Sequence, residues 1–403
     1  MSLDLQTFEA ALKQHYTDEI IHNMVYKDNP LMAMLAKKED FGGKNLPIPI
    51  IHGNPQGRSS NFQTAQNNKT NTQIKDFVLV RARDYSLASI DNETIEASKG
   101  NANAFIEAAT TEIDGAFQAA TRSLATSLFG TGSGTIGQVL AGVTGTTIQL
   151  KDAEEVTNFE VGMRLQFSST NGGGLVKSGV VTVEGVDRDT GLITTTSLAA
   201  IDGGTGPAAD DFVFVEGDYD QKVKGLRAWL PDASPSATDN FFSVNRSVDA
   251  TRLGGIRYDG SAEPIEEALI GAANRVGREG GRPDYCFMSY SRYADLERAL
   301  GSKVQYCEVS HDRAEIAFRG ILVHGPRGPI RVVPDQNCPS DRAFMLQMNT
   351  WKMYSLGACP KILDSDGLKM LRESSADAVE VRVGYYGQLG CRAPGFNANI
   401  KLG

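Results

Sequence analysis

The sequence predicts an α+β fold that carries an inserted β-rich module. Amphipathic helical segments and strand-like runs alternate through most of the 403-residue chain. The stretch 135–216 differs, because it holds short strand-like runs separated by turns rich in Gly and Asp, a pattern typical of a small β-barrel or sandwich. The runs are Thr146–Leu150, Met163–Phe167, Gly179–Val186, Leu192–Thr196 and Asp211–Val215. Because the mixed pattern resumes afterwards, we interpret this stretch as an insertion.

Composition narrows the class of protein. Hydrophobic residues make up 41% of the chain, which is enough for a sizeable core, and the length suits two or three domains. A net charge of −9 argues against tight electrostatic binding of nucleic acid as the main activity. The chain begins without a basic-then-apolar signal pattern, and no apolar run approaches the roughly 20 residues of a membrane span. We therefore expect a protein that is made and used in the cytoplasm or leaves the cell by lysis, without membrane contact.

The first 43 residues are predicted to form a short peripheral arm. Leu5, Phe8 and Leu12 recur at helical spacing. Asn29 and Pro30 then form a pair that is predicted to break the chain.

Residues 44–88 predict a long two-stranded extension. Its strands are Asn45–Ile51 and Ile74–Leu87, the first an edge strand or a bulged one because Pro47 and Pro49 lack backbone donors. The intervening 52–73 segment consists mostly of amide and hydroxyl side chains, and a loop of that length is uncommon in a compact domain. Because an isolated hairpin is only marginally stable in water, we expect this extension to lie on a neighbouring molecule.

Helices and strands are also predicted on both sides of the insertion. A long helix is expected at Asn101–Phe129, with Asn101 as N-cap and glycines from Gly130 ending it. After the insertion the patterns predict helices at Ala262–Arg278 and Ser291–Leu300, and a final strand at Ala378–Leu389. Further strands are predicted at Tyr285–Tyr290, Ile321–His324, Ile330–Val333 and Ala343–Met348.

A search for catalytic or ligand-binding patterns identifies no such site. The glycine run 130–137 lacks the phosphate-loop Lys and follows a helix, so a helix terminator explains it. The five histidines (His15, His22, His52, His311 and His324) and five cysteines (Cys286, Cys307, Cys338, Cys359 and Cys391) show no metal spacing. The cysteines are expected to be free buried thiols, and Asp202, Asp210 and Asp211 to form a solvated loop. We therefore predict no enzyme activity, no cofactor and no catalytic, cofactor-binding or metal-binding residue.

Three small basic clusters stand out against the acidic total. Arg81 and Arg83 are predicted to alternate on one strand face, and Arg327 and Arg331 flank a turn. A third cluster, Arg275, Arg278 and Arg282, lies near a helix C-terminus. A DNA-facing surface, solvated faces and salt bridges between subunits explain these clusters equally well.

The order of the elements resembles the tailed-phage (Hong Kong 97-like) capsid fold. Asp76–Asp91 followed by Glu93–Phe129 resembles the extended loop that returns into a spine helix, and Arg282–Ser289 resembles a strand of the axial domain. Phe318–Val323 and Val381–Gly387 resemble later strands of the family. The implied organisation is an N-terminal arm (1–43), extended loop (44–88), peripheral domain with spine helix (89–134), inserted β-rich domain (135–216), continued peripheral domain (217–261), axial domain (262–370), and returning strand with C-terminal tail (371–403).

That resemblance implies a major capsid protein. Its subunits would form hexamers and pentamers of an icosahedral shell around double-stranded DNA, assembled in the host bacterial cytoplasm, with the extended loop over an adjacent subunit. The implied partners are portal and decoration proteins, a separate scaffolding protein or none, and non-specific contact with the packaged DNA. Some members crosslink a loop Lys to an Asn, for which Lys69 with Asn397 or Asn399 is the candidate set.

Other classes of protein remain open. An encapsulin-like nanocompartment has the same fold and encloses cargo enzymes instead of a genome. A tail or adhesion protein would need a fibrous repeat, and an enzyme would need a constellation of reactive residues. The insertion is expected to stabilise subunit contacts, to decorate the exterior, or to aid folding of the monomer.

Overall fold

The computed structural model describes residues 25–91, 93, 102–143, 145–301, 306–311, 314–364, 370–373 and 376–403. The helical pattern predicted around Leu5–Met24 and the N-cap Asn101 lie outside these residues. The helices are α1 Pro30–Met34, α2 Phe62–Asn67, α3 Ala102–Phe129, α4 Leu226–Trp229, α5 Ile265–Arg278 and α6 Tyr290–Leu300. The strands are β1 Ala36–Lys38, β2 Asn45–Gly53, β3 Gln73–Val80, β4 Ala82–Asp91, β5 Thr135–Gln138, β6 Thr147–Gln149, β7 Arg164–Ser168, β8 Val181–Asp187, β9 Leu192–Thr195, β10 Phe212–Val215, β11 Ile256–Gly260, β12 Tyr285–Met288, β13 Tyr306–His311, β14 Ala314–Gly325, β15 Gly328–Pro334, β16 Arg342–Leu346, β17 Trp351–Ser355, β18 Lys361–Ile362, β19 Leu371–Arg372, β20 Ala378–Cys391 and β21 Ala398–Leu402.

The first sheet is organised around the long strand β20. Strands β4, β17, β18 and β19 all pair with it antiparallel, and β1 adds to β17 in parallel. Helix α3 packs along this sheet, because Ile113 and Phe117 share a buried cluster with Val379, Val381 and Val383. The predicted long helix is thus confirmed from Ala102 to Phe129, with its apolar face on the sheet.

The β-rich stretch forms a closed barrel. Its strands follow the order β5-β10-β7-β8-β9-β6. A bridge between Val139 and Leu150, with Leu140 N–H donating to Gln149 O at 2.9 Å, joins the last strand back to the first. The interior is a separate apolar cluster that includes Phe159, Phe167 and Ile193. Of the two predicted architectures the barrel is therefore confirmed, and closure removes the free edges that a sandwich would expose.

A seven-stranded mixed sheet forms the third layer, in the order β11-β21-β16-β12-β15-β14-β13. Helix α5 covers it through Leu269, Ala272 and Val276, which share a buried cluster with strand residues such as Met288. Helix α6 adds Leu296 to the same cluster. The two helices predicted after the insertion are confirmed, although α5 begins at Ile265 instead of Ala262 because Pro264 occupies its N-cap position.

The predicted strand Ile74–Leu87 is wrong as a single element. Strand β3 ends at Val80 and pairs with β2, whereas β4 begins at Ala82 and pairs with β20. Arg81 stands at the break, where its guanidinium donates to the carbonyl oxygens of Phe41 and Gly43, each at 2.6 Å. Arg81 therefore does not share an exposed strand face with Arg83, as the sequence had predicted, because it ties two segments together.

Residues 25–41, predicted to be part of a peripheral arm, pack in the main core. Pro30 occupies the first turn of α1 and so begins a helix, where its missing N–H costs no hydrogen bond. Leu31, Leu35 and Phe41 are almost fully buried in the same cluster as Trp229 and Trp351. In the described residues, no helix combines the length and the apolar character that crossing a membrane requires.

Candidate assembly surfaces

The root of the β2–β3 hairpin is fixed to the body of its own chain. Ile48, Ile50, Phe77 and Leu79 are almost fully buried in the main core. The ring of Phe77 lies 5.2 Å from that of Trp229. Burial of each such side chain contributes about 1.5–3 kcal/mol, so the root needs no neighbour for its stability. The expectation that the whole extension requires a neighbouring molecule is therefore wrong for the root.

The distal part of the hairpin, residues 54–76, projects into solvent. All its residues are exposed except Ala65, which is half-buried. Its side-chain hydrogen bonds stay within the segment: Gln56 N–H donates to Thr70 Oγ1 at 2.8 Å, and Thr64 N–H donates to Asn61 Oδ1 at 3.2 Å. The second bond caps α2, a short helix in a segment predicted to be a loop. This distal hairpin is held by local bonds alone, which makes it available to another surface.

Apolar side chains also occupy the outer face of the hairpin. Ile51 and Ile74 are paired in register and remain 59% and 50% exposed. Val80 and Phe62 are exposed as well, Phe62 to 78%. A ribbon whose inner face is buried in the core normally presents polar residues outward, so this outer face is typical of an interaction surface.

Charge distinguishes the hairpin from the rest of the chain. The distal hairpin contains Arg58, Lys69 and Lys75 against one carboxylate, Asp76, whereas the whole chain carries −9. Opposite net charges favour contact between this segment and an acidic surface. Another copy of the same chain carries the opposite net charge.

The residues of the predicted crosslink between subunits differ in their exposure within the single chain. Lys69 is exposed on the distal hairpin, but Asn397 and Asn399 are fully buried. Asn397 Oδ1 accepts from Trp351 Nε1–H at 2.8 Å, and Asn399 Nδ2–H donates to Leu230 O at 2.8 Å. Both amides hold core elements together within the subunit, and a crosslink from a neighbour's Lys to either of them stays a prediction.

A cavity of about 810 Å³ lies between α3 and the barrel. At its base Lys222 Nζ donates to Asp84 Oδ2 at 2.6 Å and to Ser123 Oγ at 2.9 Å, and it lies 2.9 Å from Asp218 Oδ2. Burial raises the pKa of Asp218 above its ordinary value. Sequence reasoning missed this network, because its members are far apart along the chain and show no common motif.

A second acidic group lies where the barrel meets the body. The carboxylate of Glu155 accepts from Gln138 N–H at 3.2 Å, and Ser340 Oγ donates to Asp152. Burial raises the pKa of Glu155 to about 8, and the nearby charge of Asp152 adds to the rise. This joint therefore gains a proton as the pH falls.

The thiols and histidines form no site in the described structure. Cys286, Cys338, Cys359 and Cys391 are free and buried as predicted, and burial raises the pKa of Cys286 to about 12, which disfavours a reactive thiolate. His15, His22 and the side chains of Cys307 and His311 lie outside the described part of the chain. Within the described part, no group of three or more His, Cys, Asp or Glu residues is placed to hold a metal ion.

The predicted solvated loop around Asp202 is only partly solvated. Asp211 is 2% exposed and lies 2.7 Å from Lys177 Nζ, so the expectation is wrong for this residue. Asp210 is exposed and pairs with Lys151 at 2.6 Å. The glycine run from Gly130 follows helix α3, as expected of a helix terminator.

Comparison with solved structures places the fold among capsid proteins. The chain is similar to the protein of the cyanophage A-1(L) capsid asymmetric unit, with a TM-score of 0.54 and 12% identity over 93% of this chain and 92% of that chain. It is also similar, at lower TM-scores, to the capsid of the native GTA particle (0.47; 8% identity; 94% and 91% covered) and to the SrpI encapsulin of Synechococcus elongatus PCC 7942 (0.43; 8%; 97% and 94%). No protein-family model matches the sequence, and no curated protein matches it.

The fold assignment depends on the cyanophage structure, whose TM-score exceeds 0.5. That likeness extends over nearly the whole of both chains, so it includes the sheets and helices described above and is not confined to one layer. At 12% identity it shows a shared fold. The resemblance to phage capsid proteins that the sequence predicted is therefore confirmed at the level of the fold, and this chain has the fold of a capsid subunit.

Proposed function

We propose that this chain is a major capsid protein with a Hong Kong 97-like organisation. In this proposal the β2–β3 hairpin is the extended loop, α3 is the spine helix of a peripheral domain, the barrel is the inserted domain, and the seven-stranded sheet belongs to the axial domain. Copies assemble into hexamers and pentamers of an icosahedral shell that encloses double-stranded DNA. Assembly in a bacterial cytoplasm, partners such as portal, scaffolding and decoration proteins, and the absence of enzyme activity belong to the same proposal.

One observation carries the proposal: the hairpin is rooted in its own core but projects a basic, partly apolar tip whose side-chain hydrogen bonds stay within the tip itself. Residues 54–76 are exposed, and Phe62 stands out from a polar surrounding at 78% exposure. Exposed apolar surface of this kind marks a protein interface. A second copy supplies both the acidic charge and the surface that the tip lacks.

Electron microscopy of the purified, concentrated chain tests the proposal. We expect closed particles that contain nucleic acid when they are made in cells. Replacing residues Pro55–Thr70 by a two-residue Asn-Gly turn shortens the hairpin without touching its buried root, and we expect soluble subunits or weak shells from this variant. Wild-type-like particles from the shortened variant, or a wild-type chain that sediments as a monomer at every concentration, would contradict the proposal.

The contents of the particles separate the proposal from a nanocompartment. A shell for a genome takes up nucleic acid, and its absorbance at 260 nm exceeds that of protein alone. A shell for cargo enzymes contains a second polypeptide and little nucleic acid. The second result would favour an encapsulin-like function for the same fold.

A further inference from the structure

A notch of about 250 Å³ lies where the hairpin leaves the body. Its apolar lining includes Ile50, Ile51 and Phe396, and its charged lining consists of Arg252, Glu279 and Arg392. Arg252 also fixes one wall, because its Nη1–H donates to His52 O on strand β2 at 2.7 Å. The notch thus combines an apolar floor with a predominantly basic rim.

The basic rim continues onto the end of helix α5. Arg278 is exposed in the last turn of that helix, one residue before Glu279. The side chain of Arg327 lies along the same turn, because its Nη1–H donates to Gly280 O at 3.4 Å. Its Cγ lies 3.7 Å from the position that a Cβ atom would occupy at Gly277. A Cβ on Gly280 would in turn lie 3.8 Å from the ring of Phe396, which lines the notch.

These guanidinium groups are largely uncompensated. Within the described residues, Arg278, Arg327 and Arg392 form no salt bridge, and Arg252 is 3.9 Å from Asp249. Arginine binds carboxylates through paired N–H donors, so exposed arginines around a cavity are suited to recognise acidic groups.

We propose that this notch receives an acidic segment of a second copy of the chain, with an apolar side chain of that segment on its floor. The inference rests on the proposed function, since it requires that copies assemble. Charge complementarity selects the occupant: the rim is basic, whereas each copy carries −9 in total. Ile51 lines the notch and is also part of the exposed outer face of the hairpin. The notch and the outer face therefore act in the same contact between copies.

The shape and chemistry of the notch favour a polypeptide over nucleic acid. A duplex presents its phosphates on a broad rod, and it has no apolar group that matches a floor of Ile50, Ile51 and Phe396. A protein segment supplies a carboxylate for the rim and an aliphatic or aromatic side chain for the floor. We therefore assign the notch to contact between copies and treat DNA binding as an outcome of the test.

The test compares two double charge reversals in the full chain. Arg278→Glu/Arg327→Glu changes the rim, and Arg298→Glu/Arg372→Glu makes the same change in net charge at exposed positions away from it. Sedimentation velocity over a concentration series gives the protein concentration at half-assembly. We expect a rise of about tenfold or more for the rim variant, and less than about twofold for the matched control.

Equal assembly by the rim variant and the control would overturn the inference while leaving the proposed function intact. Absence of particles from the wild-type chain would overturn the proposed function and the inference together. The variant Arg278→Gln/Arg327→Gln is the control for misfolding, and its thermal melt should match that of wild type. Its protein concentration at half-assembly should rise as well, but by less than that of the charge-reversal variant. Normal assembly combined with weaker binding of a short DNA duplex by the rim variant would reassign the rim to nucleic acid.

Discussion

Lys222 Nζ lies 2.6 Å from Asp84 Oδ2 and thereby joins the segment that follows the barrel to strand β4. Both side chains are largely buried, at 6% and 14% exposure. Replacing Lys222 with Met leaves the carboxylates of Asp84 and Asp218 without their cation. We expect the free energy of unfolding to fall by about 3–5 kcal/mol, as measured by urea denaturation, because an unpaired buried charge is costly.

The matched control is Lys151→Met. Lys151 pairs with Asp210 at the same 2.6 Å separation, but the two side chains are 50% and 66% exposed. Solvent screens such a pair, so the expected loss is below about 1 kcal/mol. Equal losses in the two variants would show that the Lys222 network contributes no more than a surface pair.

Glu155 makes stability depend on pH. Its pKa rises from an ordinary 4.5 to about 8 in the folded chain, chiefly through burial. Between these two values the folded state holds a proton that the unfolded state has lost, so stability falls as the pH rises from 4.5 to 8 and then levels off. We expect Glu155→Gln to be more stable than wild type at pH 8.5, on the order of 2 kcal/mol, and equal to it near pH 4.

Thermal melts across this pH range check the effect, with Glu154→Gln as control. Glu154 and Glu155 are neighbours in a 3₁₀ helix, Ala153–Asn158, and Glu154 is exposed. Its substitution should leave the pH profile unchanged. A Glu155→Gln profile parallel to that of wild type would contradict the assignment.

The two faces of the hairpin should respond differently to the same chemical change. Ile48→Ser removes a side chain that is 4% exposed, and we expect a loss of about 2–4 kcal/mol of stability. Ile51→Ser/Ile74→Ser changes side chains that are at least half exposed, so the monomer should lose less than about 1 kcal/mol. Assembly, measured by light scattering, should nevertheless be reduced in the double variant. Unimpaired assembly would show that the outer face stays in solvent.

Asn397 should prove structural and not reactive. Its amide accepts from Trp351 Nε1–H and from Gln347 N–H, both at 2.8 Å, and donates to Ala393 O at 2.8 Å. We expect Asn397→Ala to cost about 2–3 kcal/mol, because several buried groups lose their partner. We expect denaturing gels of wild-type particles to show no crosslinked species in which Asn397 or Asn399 is the acceptor. A ladder of crosslinked species that depends on Lys69 and that Asn397→Ala abolishes would contradict this prediction.

Local patterns predicted the elements whose stability depends on one apolar face. Helices α3 and α5 show this, since apolar residues at helical spacing, such as Ile113 and Phe117 on α3 and Leu269 and Val276 on α5, are those packed on the sheets. Five of the six barrel strands, β6 to β10, were also predicted to within a few residues, because alternation and turn glycines are read over short distances. Strand β5, Thr135–Gln138, was not predicted. The edge position of β2 followed from Pro47 and Pro49, and β2 pairs with β3 alone.

Features that depend on distant segments were not predicted. Strands β3 and β4 pair with different partners, and Arg81 between them donates to carbonyl groups about 40 residues away. Burial of the hairpin root depends on Trp229, which follows the whole barrel in the chain. Burial of Asn397 depends on Trp351 in another strand. Hydropathy patterns carry no information on such pairings, so the site had to be found from the structure.

The barrel enters and leaves the body through adjacent strands, because Thr135 on β5 pairs with Phe214 on β10. The chain therefore passes between the body and the barrel at two neighbouring points, and side-chain contacts such as that of Ser340 with Asp152 are additional. A different compact domain with its ends equally close would meet the same geometric requirement. This position is thus a natural place for exchange of modules during evolution, and for display of a foreign domain by engineering.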